Sequence, residues 1–428
     1  MKAISPLIFF IITYLATSIV AGDFYKTPIT VLFMLTAVFA VAVSKGRLNH
    51  RIKIFNRGAG RKNLMFMLWI FILAGAFAGS AKELGSVDAF VDLTLYIVPS
   101  DALLAGLFLA SALLSLSIGT SIGTIVALSP IAVGIANATD MSVPMMTGIV
   151  VGGSFFGDNL SFISDTTVVA TQSQGCTMSD KFKTNVYIAL PAAIAVMFVY
   201  AIIGTNVTVP NEPHIDQLVK IVPYLVVLTT AVLGINVFMV LVLGILLTGI
   251  LYFCTLPIDI VNRELPLFAW FGAMGAGIAS MGELIIVSLL AGGILELIQA
   301  NGGIRFIINK VTCHINNKRK AEFSIAAIVS LVDICTANNT IAIITVSNIA
   351  SEISQRFKLE PRRVASILDT YSCIMQGLIP YGAQLLMAAA LAQCSPASII
   401  PYLYYTYALL FMALLSITFR FPKKIVDS

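Results

Sequence analysis

Residues 102–136 and 143–175 are each apolar for longer than one membrane crossing needs, and each is broken near its middle by polar residues. A bilayer core is about 30 Å deep and takes roughly 20 residues of helix to cross. A polar break inside such a run leaves main-chain N–H and C=O groups without water. Each of those groups costs several kcal/mol in hydrocarbon, so a break survives only inside protein or beside a water-filled cavity. A chain built this way is polytopic and keeps its breaks in its interior.

The rest of the chain agrees. Of its 428 residues only 11% are charged, where a soluble domain carries about 25%. Apolar windows of about 20 residues recur along its length, which excludes the two-residue alternation of barrel strands. The formal charge of +5 does not point to nucleic acid, because the basic residues fall in segments flanking the apolar runs. No G-x-x-x-x-G-K-[ST] segment is present, so no ATP is implied. The six cysteines (Cys176, Cys254, Cys313, Cys335, Cys373, Cys394) have no C-x-x-C spacing and read as small packing residues. His50, His214 and His314 lie in loops or the linker, so no histidine proton relay is assigned. No cofactor and no enzymatic site is expected. The opening segment, with Lys2 before an apolar run of about 18 residues, reads as a first spanning helix; a cleaved signal, whose core is usually 7–15 residues, is the alternative.

Hydropathy gives an order that occurs twice. The first half has spans near 4–21, 28–44 and 64–81, an arm at 82–101, the stretch 102–136 broken by SIGTSIGT, the stretch 143–175 broken by GDNLSFISDTT, and a span at 186–204. After a polar linker at 205–217, spans near 218–234, 236–253 and 280–299 are followed by an arm at 301–320. A stretch broken by DICTANNT, one broken by QGLIPYGAQ and a last span at 399–419 complete the second half. At an offset of about 216 residues Thr120 and Thr124 fall on Thr336 and Thr340, and LSFIS falls on QGLIP. Weak internal symmetry with interrupted segments at matching places marks secondary transporters.

Charge tests whether the repeats are inverted. If each half holds five spans and one hairpin that enters and returns on the same side, 22 of the 26 Lys and Arg fall on the side of the N-terminus. Only Lys26, Lys82, Lys220 and Arg263 remain outside, a strong positive-inside bias with both termini cytoplasmic. Corresponding loops also change sides: 45–62 is basic, whereas 254–266 carries Asp259, Arg263 and Glu264. Full crossings by the SIGTSIGT and DICTANNT stretches would put the basic loop 351–363 on the wrong side. The expected fold is therefore an all-α polytopic membrane protein with two inverted repeats. It has about ten spanning helices, two re-entrant hairpins and two broken helices. Residues 1–204 form one repeat (scaffold helices 1–81, transport part 101–175) and residues 218–428 the other (scaffold helices 218–299, transport part 321–391).

If the symmetry gathers the four breaks near the midplane, they make one site in which freed carbonyls, hydroxyls and carboxylates suit a small cation. The first half offers Ser117, Thr120, Ser121 and Thr124, then Asp158, Asn159, Ser161, Ser164, Asp165, Thr166 and Thr167. The second offers Asp333, Thr336, Asn338, Asn339 and Thr340, then Gln376, Tyr381 and Gln384. A carboxylate at the bilayer centre costs about 2.5–3.5 kcal/mol on insertion scales. Asp158 and Asp165, with no Lys or Arg between them, therefore need a cation such as Na⁺ or a proton. Two such close acids should not both stay charged in an empty site, so cation binding would displace a proton. The plainer readings are that these acids cap two half-helices and that the amide pairs join helices by hydrogen bonds. Spacing leaves open whether Asp369 faces the cavity or the cytoplasmic mouth of its helix. The pairs Gly152–Gly153 and Gly292–Gly293 and the run GAMGAG at 272–277 read as close helix contacts, and the tyrosines at 402–407 as an interfacial belt.

The segment FFGDNLSFISDTT resembles the signature of NhaC-type sodium/proton antiporters, a pattern similar to GDKxSPLSDTT. The resemblance carries over Gly157, Asp158, Ser161, Ser164, Asp165, Thr166 and Thr167. It implies a wider group of ion transporters with inverted repeats, often homodimers in which a transport domain slides past a scaffold in an elevator motion. Two positions depart from it: Asn159 stands where the family has Lys, and Phe162 where it has Pro. Loss of the Lys removes a counter-charge from the acids. A close branch resembles malate/lactate and amino-acid exchangers. The expected function is Na⁺/H⁺ exchange across the bacterial inner membrane. A cation-coupled carrier for a small carboxylate or amino acid is the runner-up, ahead of a channel or an intramembrane enzyme.

Overall fold

The computed structural model describes residues 2–21, 29–162, 164–205, 215–255, 266–312 and 315–421. The described residues form helices and connecting turns, with no strand among them. The first half runs through α1 (Ser5–Ala21), α2 (Ile29–Val43), α3 (Leu48–Ala59), α4 (Lys62–Leu84), α5 (Ser86–Ile97), α6 (Leu103–Ile118), α7 (Ser121–Ala138), α8 (Val143–Leu160), α9 (Asp165–Gln174) and α10 (Met178–Gly204). The second runs through α11 (Val222–Val232), α12 (Val237–Thr255), α13 (Pro266–Ser280), α14 (Gly282–Ala300), α15 (Gly303–Thr312), α16 (Lys318–Thr336), α17 (Asn339–Phe357), α18 (Pro361–Leu378), α19 (Ala383–Ala392), α20 (Pro396–Ile399) and α21 (Tyr404–Phe419). Among the described residues, seven helical segments are long and apolar enough to cross a membrane; the pair α20–α21, bent by 58°, would make eight. The chain is a multi-pass membrane protein.

Small residues set the helix spacing. A Cβ added at Gly277 would lie 2.0 Å from the Gly75 carbonyl oxygen, and one at Gly79 would lie 2.2 Å from that of Ala273, so α4 and α13 touch backbone to backbone. The GAMGAG run thus makes the close contact expected of it. Where α8 crosses α6, a Cβ on Gly157 would meet Ser115 Cβ at 2.4 Å, and Ser115 Oγ donates to the Ser154 carbonyl at 2.6 Å. Helix α8 is buried almost along its whole length between α6, α7, α18, α19 and α21.

All four breaks fall where the polar residues placed them: between α6 and α7, α8 and α9, α16 and α17, and α18 and α19. Three features differ from the sequence reading. The span set at 186–204 begins at Met178, because Thr177 and Asp180 form a capping box: Asp180 N–H donates to Thr177 Oγ1 at 3.2 Å, and Thr177 N–H to Asp180 Oδ2 at 3.3 Å. Residues 266–280, of which the sequence reading covers only the run 272–277, as a close helix contact, form helix α13. The tyrosine belt at 402–407 is part core: Tyr405 is fully buried against Phe108 and Gly152, whereas Tyr407 is exposed. The loop residues Asp259, Arg263 and Glu264 lie outside the described residues, as do Cys313, His214 and His314.

Two basic residues assigned to cytoplasmic loops are buried instead. Arg363, 1% exposed, pairs with Glu322 at 3.1 Å and donates to Ser416 Oγ at 2.6 Å. Lys181 pairs with Asp369 at 2.7 Å. Exposed Arg57 and partly buried Arg61 both pair with Glu296 of α14, fixing the basic helix α3 against it.

Candidate ion-binding site

Each break is made by local chemistry. Helix α6 stops at Gly119, whose φ of +73° is a left-handed geometry that glycine adopts at little cost, and Thr120 then runs extended into α7. Helix α8 ends at Ser161 and α9 begins after Ser164, both with extended backbone. At the third break Ala337 holds a φ of +48°, a conformation that costs an L-residue about 1–2 kcal/mol. Asn338 follows, extended, and its Oδ1 accepts from Ile341 N–H at 2.9 Å to start α17. At the fourth, Gly382 precedes α19; a Cβ there would sit 2.9 Å from the Gln376 carbonyl oxygen and 3.0 Å from its Nε2.

These four breaks surround one cavity of about 100 Å³. Thr120 and Ser121 line it from the first break, Asp158, Ser164, Asp165 and Thr166 from the second, Asn338, Asn339 and Thr340 from the third, and Gln376 and Gln384 from the fourth. A water needs roughly 10–15 Å³ of such space, so the cavity has room for an ion with several waters. No Lys, Arg or His is among its lining residues.

Asp158 is the buried carboxyl at the centre of this cavity and is 4% exposed. Ser121 Oγ donates to its Oδ2 at 3.1 Å, and Ser164 Oγ to its Oδ1. Ser164 Oγ also lies 2.8 Å from Thr166 Oγ1. A polar chain continues across the site: Gln384 Nε2 donates to Ser121 Oγ at 3.1 Å, and Gln376 Nε2 to Gln384 Oε1 at 2.8 Å and to the Ala337 carbonyl at 3.1 Å. One network thus joins all four breaks to Asp158. Asp165 differs from the deep acid expected of it. As the first residue of α9 it is exposed, at the mouth of the cavity and at the positive end of the helix dipole.

Several predicted residues lie beside the cavity rather than on it. Ser117 and Thr124 hydroxyls donate to carbonyls one turn back, Leu113 at 2.9 Å and Thr120 at 3.2 Å. Ser161 Oγ donates to the Leu116 carbonyl at 3.3 Å, bonding the second break to the first helix of the hairpin. Asn159, 0% exposed, presents its carbonyl to Lys181 at 2.6 Å and to Asn185 at 3.0 Å, and Thr167 Oγ1 also accepts from Lys181 at 2.6 Å. Thr336 Oγ1 donates to the Asn338 carbonyl at 3.1 Å and faces a second, smaller cavity with Ala337, Tyr381 and Arg61. Asp333, 0% exposed on the last turn of α16, has both carboxyl oxygens without a hydrogen-bond partner among the described residues. Asp369 faces neither the cavity nor a cytoplasmic mouth: it is buried against Lys181 and Asn185.

Lys181 is the residue the sequence reading missed. The signal was present in T-M-S-D at 177–180, a capping box that starts the helix one turn before Lys181 and so carries it inside. It also changes the consequence drawn from Asn159, since a buried ammonium reaches that position's carbonyl from another helix.

Comparison with known proteins follows the same lines. The model of the Na+/H+ antiporter family matches this chain twice, over residues 2–205 and 204–423. The chain is 22% identical to the Na(+)/H(+) antiporter NhaC of Bacillus subtilis, covering 85% of this chain and 86% of that protein. It is 20% identical to the Malate-2H(+)/Na(+)-lactate antiporter of the same organism, covering 83% and 81%. Among solved structures, the YdaH transporter of Alcanivorax borkumensis aligns over 92% of this chain and 99% of that one, with 13% identity and a TM-score of 0.43. With both halves matched, this chain belongs to the Na+/H+ antiporter family.

Proposed function

We propose that this protein exchanges Na⁺ for H⁺ across the bacterial inner membrane, with Asp158 carrying a proton in one half of the cycle and coordinating Na⁺ in the other. The observation that carries this reading is the lining of the central cavity: one buried carboxyl, a ring of hydroxyls and amides, and no basic side chain. A lone carboxylate in a low-dielectric interior is neutralised by a proton or a cation, and each excludes the other. Ser121, Ser164, Thr166, Thr120 and the amides of Asn338, Asn339 and Gln376 supply neutral oxygens to complete a coordination shell. Asp165 at the mouth raises the local cation concentration, and Asp333 is a second buried carboxyl available to a proton.

The alternating-access frame belongs to the same proposal. Two inverted repeats are supported by reciprocal contacts: α4 lies on α13 and α14 on α3, α7 on α19 and α17 on α9, each helix meeting the counterpart of its neighbour's partner. Separate family matches to the two halves agree with this. In this reading α6–α9 and α16–α19 form the moving part, the outer helices including α4, α12 and α13 form the scaffold, two copies assemble as a homodimer, and both termini are cytoplasmic.

A small carboxylate as co-substrate is the second reading, favoured by the helix N-termini of α7, α9, α17 and α19 that meet at the cavity. Such ends attract anions, and the malate/lactate relative fits this class. Asp158 and Asp165 already occupy those positive ends, however, and a third carboxylate in 100 Å³ would meet two like charges. Proteoliposomes separate the readings. Proton movement driven by a Na⁺ gradient alone supports exchange; a response that appears only with lactate, malate or an amino acid added supports the carrier and rejects exchange.

A further inference from the structure

Behind the central cavity, a second set of oxygens encloses one ammonium group. Lys181, on the first turn of α10, is 1% exposed. Its Nζ donates to the Asn159 carbonyl at 2.6 Å and to Thr167 Oγ1 at 2.6 Å, and lies 2.7 Å from Asp369 Oδ2. Asn185, one turn further along α10, holds two of the same oxygens: its Nδ2 donates to the Asn159 carbonyl at 3.0 Å and to Asp369 Oδ2 at 3.1 Å. Two of the three lysine partners can only accept hydrogen bonds, and with the threonine hydroxyl they use three N–H donors, the full complement of an ammonium.

The partners are a carboxylate, a hydroxyl and a main-chain carbonyl at the C-terminal end of a broken helix. That is the donor set with which broken helices hold alkali cations, and the end of α8 adds the negative end of its dipole. Two further buried oxygens of the cluster, Asp369 Oδ1 and Asn185 Oδ1, have no hydrogen-bond partner among the described residues. The ammonium also bridges the second break from behind: Asn159 lies on the last turn of α8, Thr167 on the first turn of α9, and Asp369 on α18. Burying two charges costs several kcal/mol in desolvation, and apolar residues of similar volume are often as stable or more so.

We propose that this cluster is a second cation site whose occupant is the Lys181 ammonium, so that one cation of the transport machinery is tethered to the chain and one is cargo. The proposal deepens the exchange reading, on which the identity of the cargo ion rests. Lys181 and Asp369 then set the number of mobile cations at one and hold the break open in the shape that presents Asp158.

The test is equilibrium binding of ²²Na⁺ to the purified full chain in detergent. Wild type is expected to bind one Na⁺ per chain and Lys181→Ala two, the second displaced by n-propylammonium, which restores the missing group. Lys181→Met/Asp369→Asn, with the pair removed together, is expected to return to one. Lys181→Ala that binds a single Na⁺ and does not respond to n-propylammonium overturns the proposal. If Lys181→Ala cannot be recovered folded, Lys181→Ser decides by the same count: two Na⁺ bound supports the second site, and one bound overturns it. Wild type that binds no Na⁺ rejects the exchange reading instead, and a Na⁺ gained by Lys181→Ala in that case still supports the tethered site.

Discussion

Replacing Asp158 by Asn removes one oxygen's charge while keeping the side chain's size. At a separation of 4 Å and an effective dielectric of about 20, a carboxylate attracts a monovalent cation by about 4 kcal/mol. Each 1.4 kcal/mol is a factor of ten in affinity, so loss of the charge amounts to nearly three decades. The amide retains an oxygen that can still coordinate, and we expect Na⁺ affinity to fall by about 100-fold or more. The fold should survive. Ser121 and Ser164, which donate to the two carboxylate oxygens, are hydroxyls, and one of them can rotate to accept from the new amide nitrogen. The assay is Na⁺-driven fluorescence change of a trapped pH dye in proteoliposomes, with size-exclusion profiles to check folding. Asp158→Asn exchanging at a half-saturating Na⁺ concentration within threefold of wild type would refute the assignment of Asp158 as the cation ligand.

Other substitutions probe the surroundings of that group. Asp165→Asn, at the exposed mouth of the cavity, should weaken half-saturation by about tenfold or less, because solvent screens its charge; a loss equal to that of Asp158→Asn would contradict the difference in depth. Gly382→Ala forces a Cβ to 3.0 Å from Gln376 Nε2 and should break the bonds from Gln376 to Gln384 and to the Ala337 carbonyl. At about 0.5–1.5 kcal/mol each, this lowers apparent Na⁺ affinity by roughly 5- to 150-fold with the maximal rate largely kept, as initial rates against Na⁺ will show. Glu322→Gln leaves the buried Arg363 guanidinium without its counter-charge and should destabilise the protein by about 3–5 kcal/mol, visible as a lower melting temperature in detergent while Na⁺ affinity of the surviving protein stays unchanged.

The breaks were legible in the sequence because glycine, hydroxyl and amide residues inside apolar runs leave main-chain groups that lipid cannot satisfy. Gly119, Asn338 and Gly382 do what such residues do at helix ends. Gathering Ser121, Asp158, Asn339 and Gln376 around one cavity followed from the repeat offset and from the exclusion of breaks from lipid, not from any local signal. What was not legible depended on depth. Asp158 and Asp165 look alike in the sequence, yet one ends up buried and the other exposed, because Asp165 opens a half-helix at the cavity mouth. Lys181 and Arg363 look like members of basic loops, and their burial follows from partners more than 40 residues away, Asp369 and Glu322. Charge counting places a segment on one side of a membrane but does not find which of its cations an interior acid will take. Helix α13 went unassigned for a different reason: its glycines lower helix propensity, and the contacts they make with Gly75 and Gly79 come from the distant helix α4.

Proton release on Na⁺ binding puts the central mechanism to its most direct trial. In weakly buffered solution the purified, reconstitution-competent protein should release about one proton per chain when Na⁺ is added, with a half-saturating concentration that rises tenfold for each pH unit lowered in the range where ion and proton compete. Asp158→Asn should release none. Sodium uptake without proton release, or release that persists in Asp158→Asn, would mean that the buried carboxyl between the four breaks is not where the two ions change places.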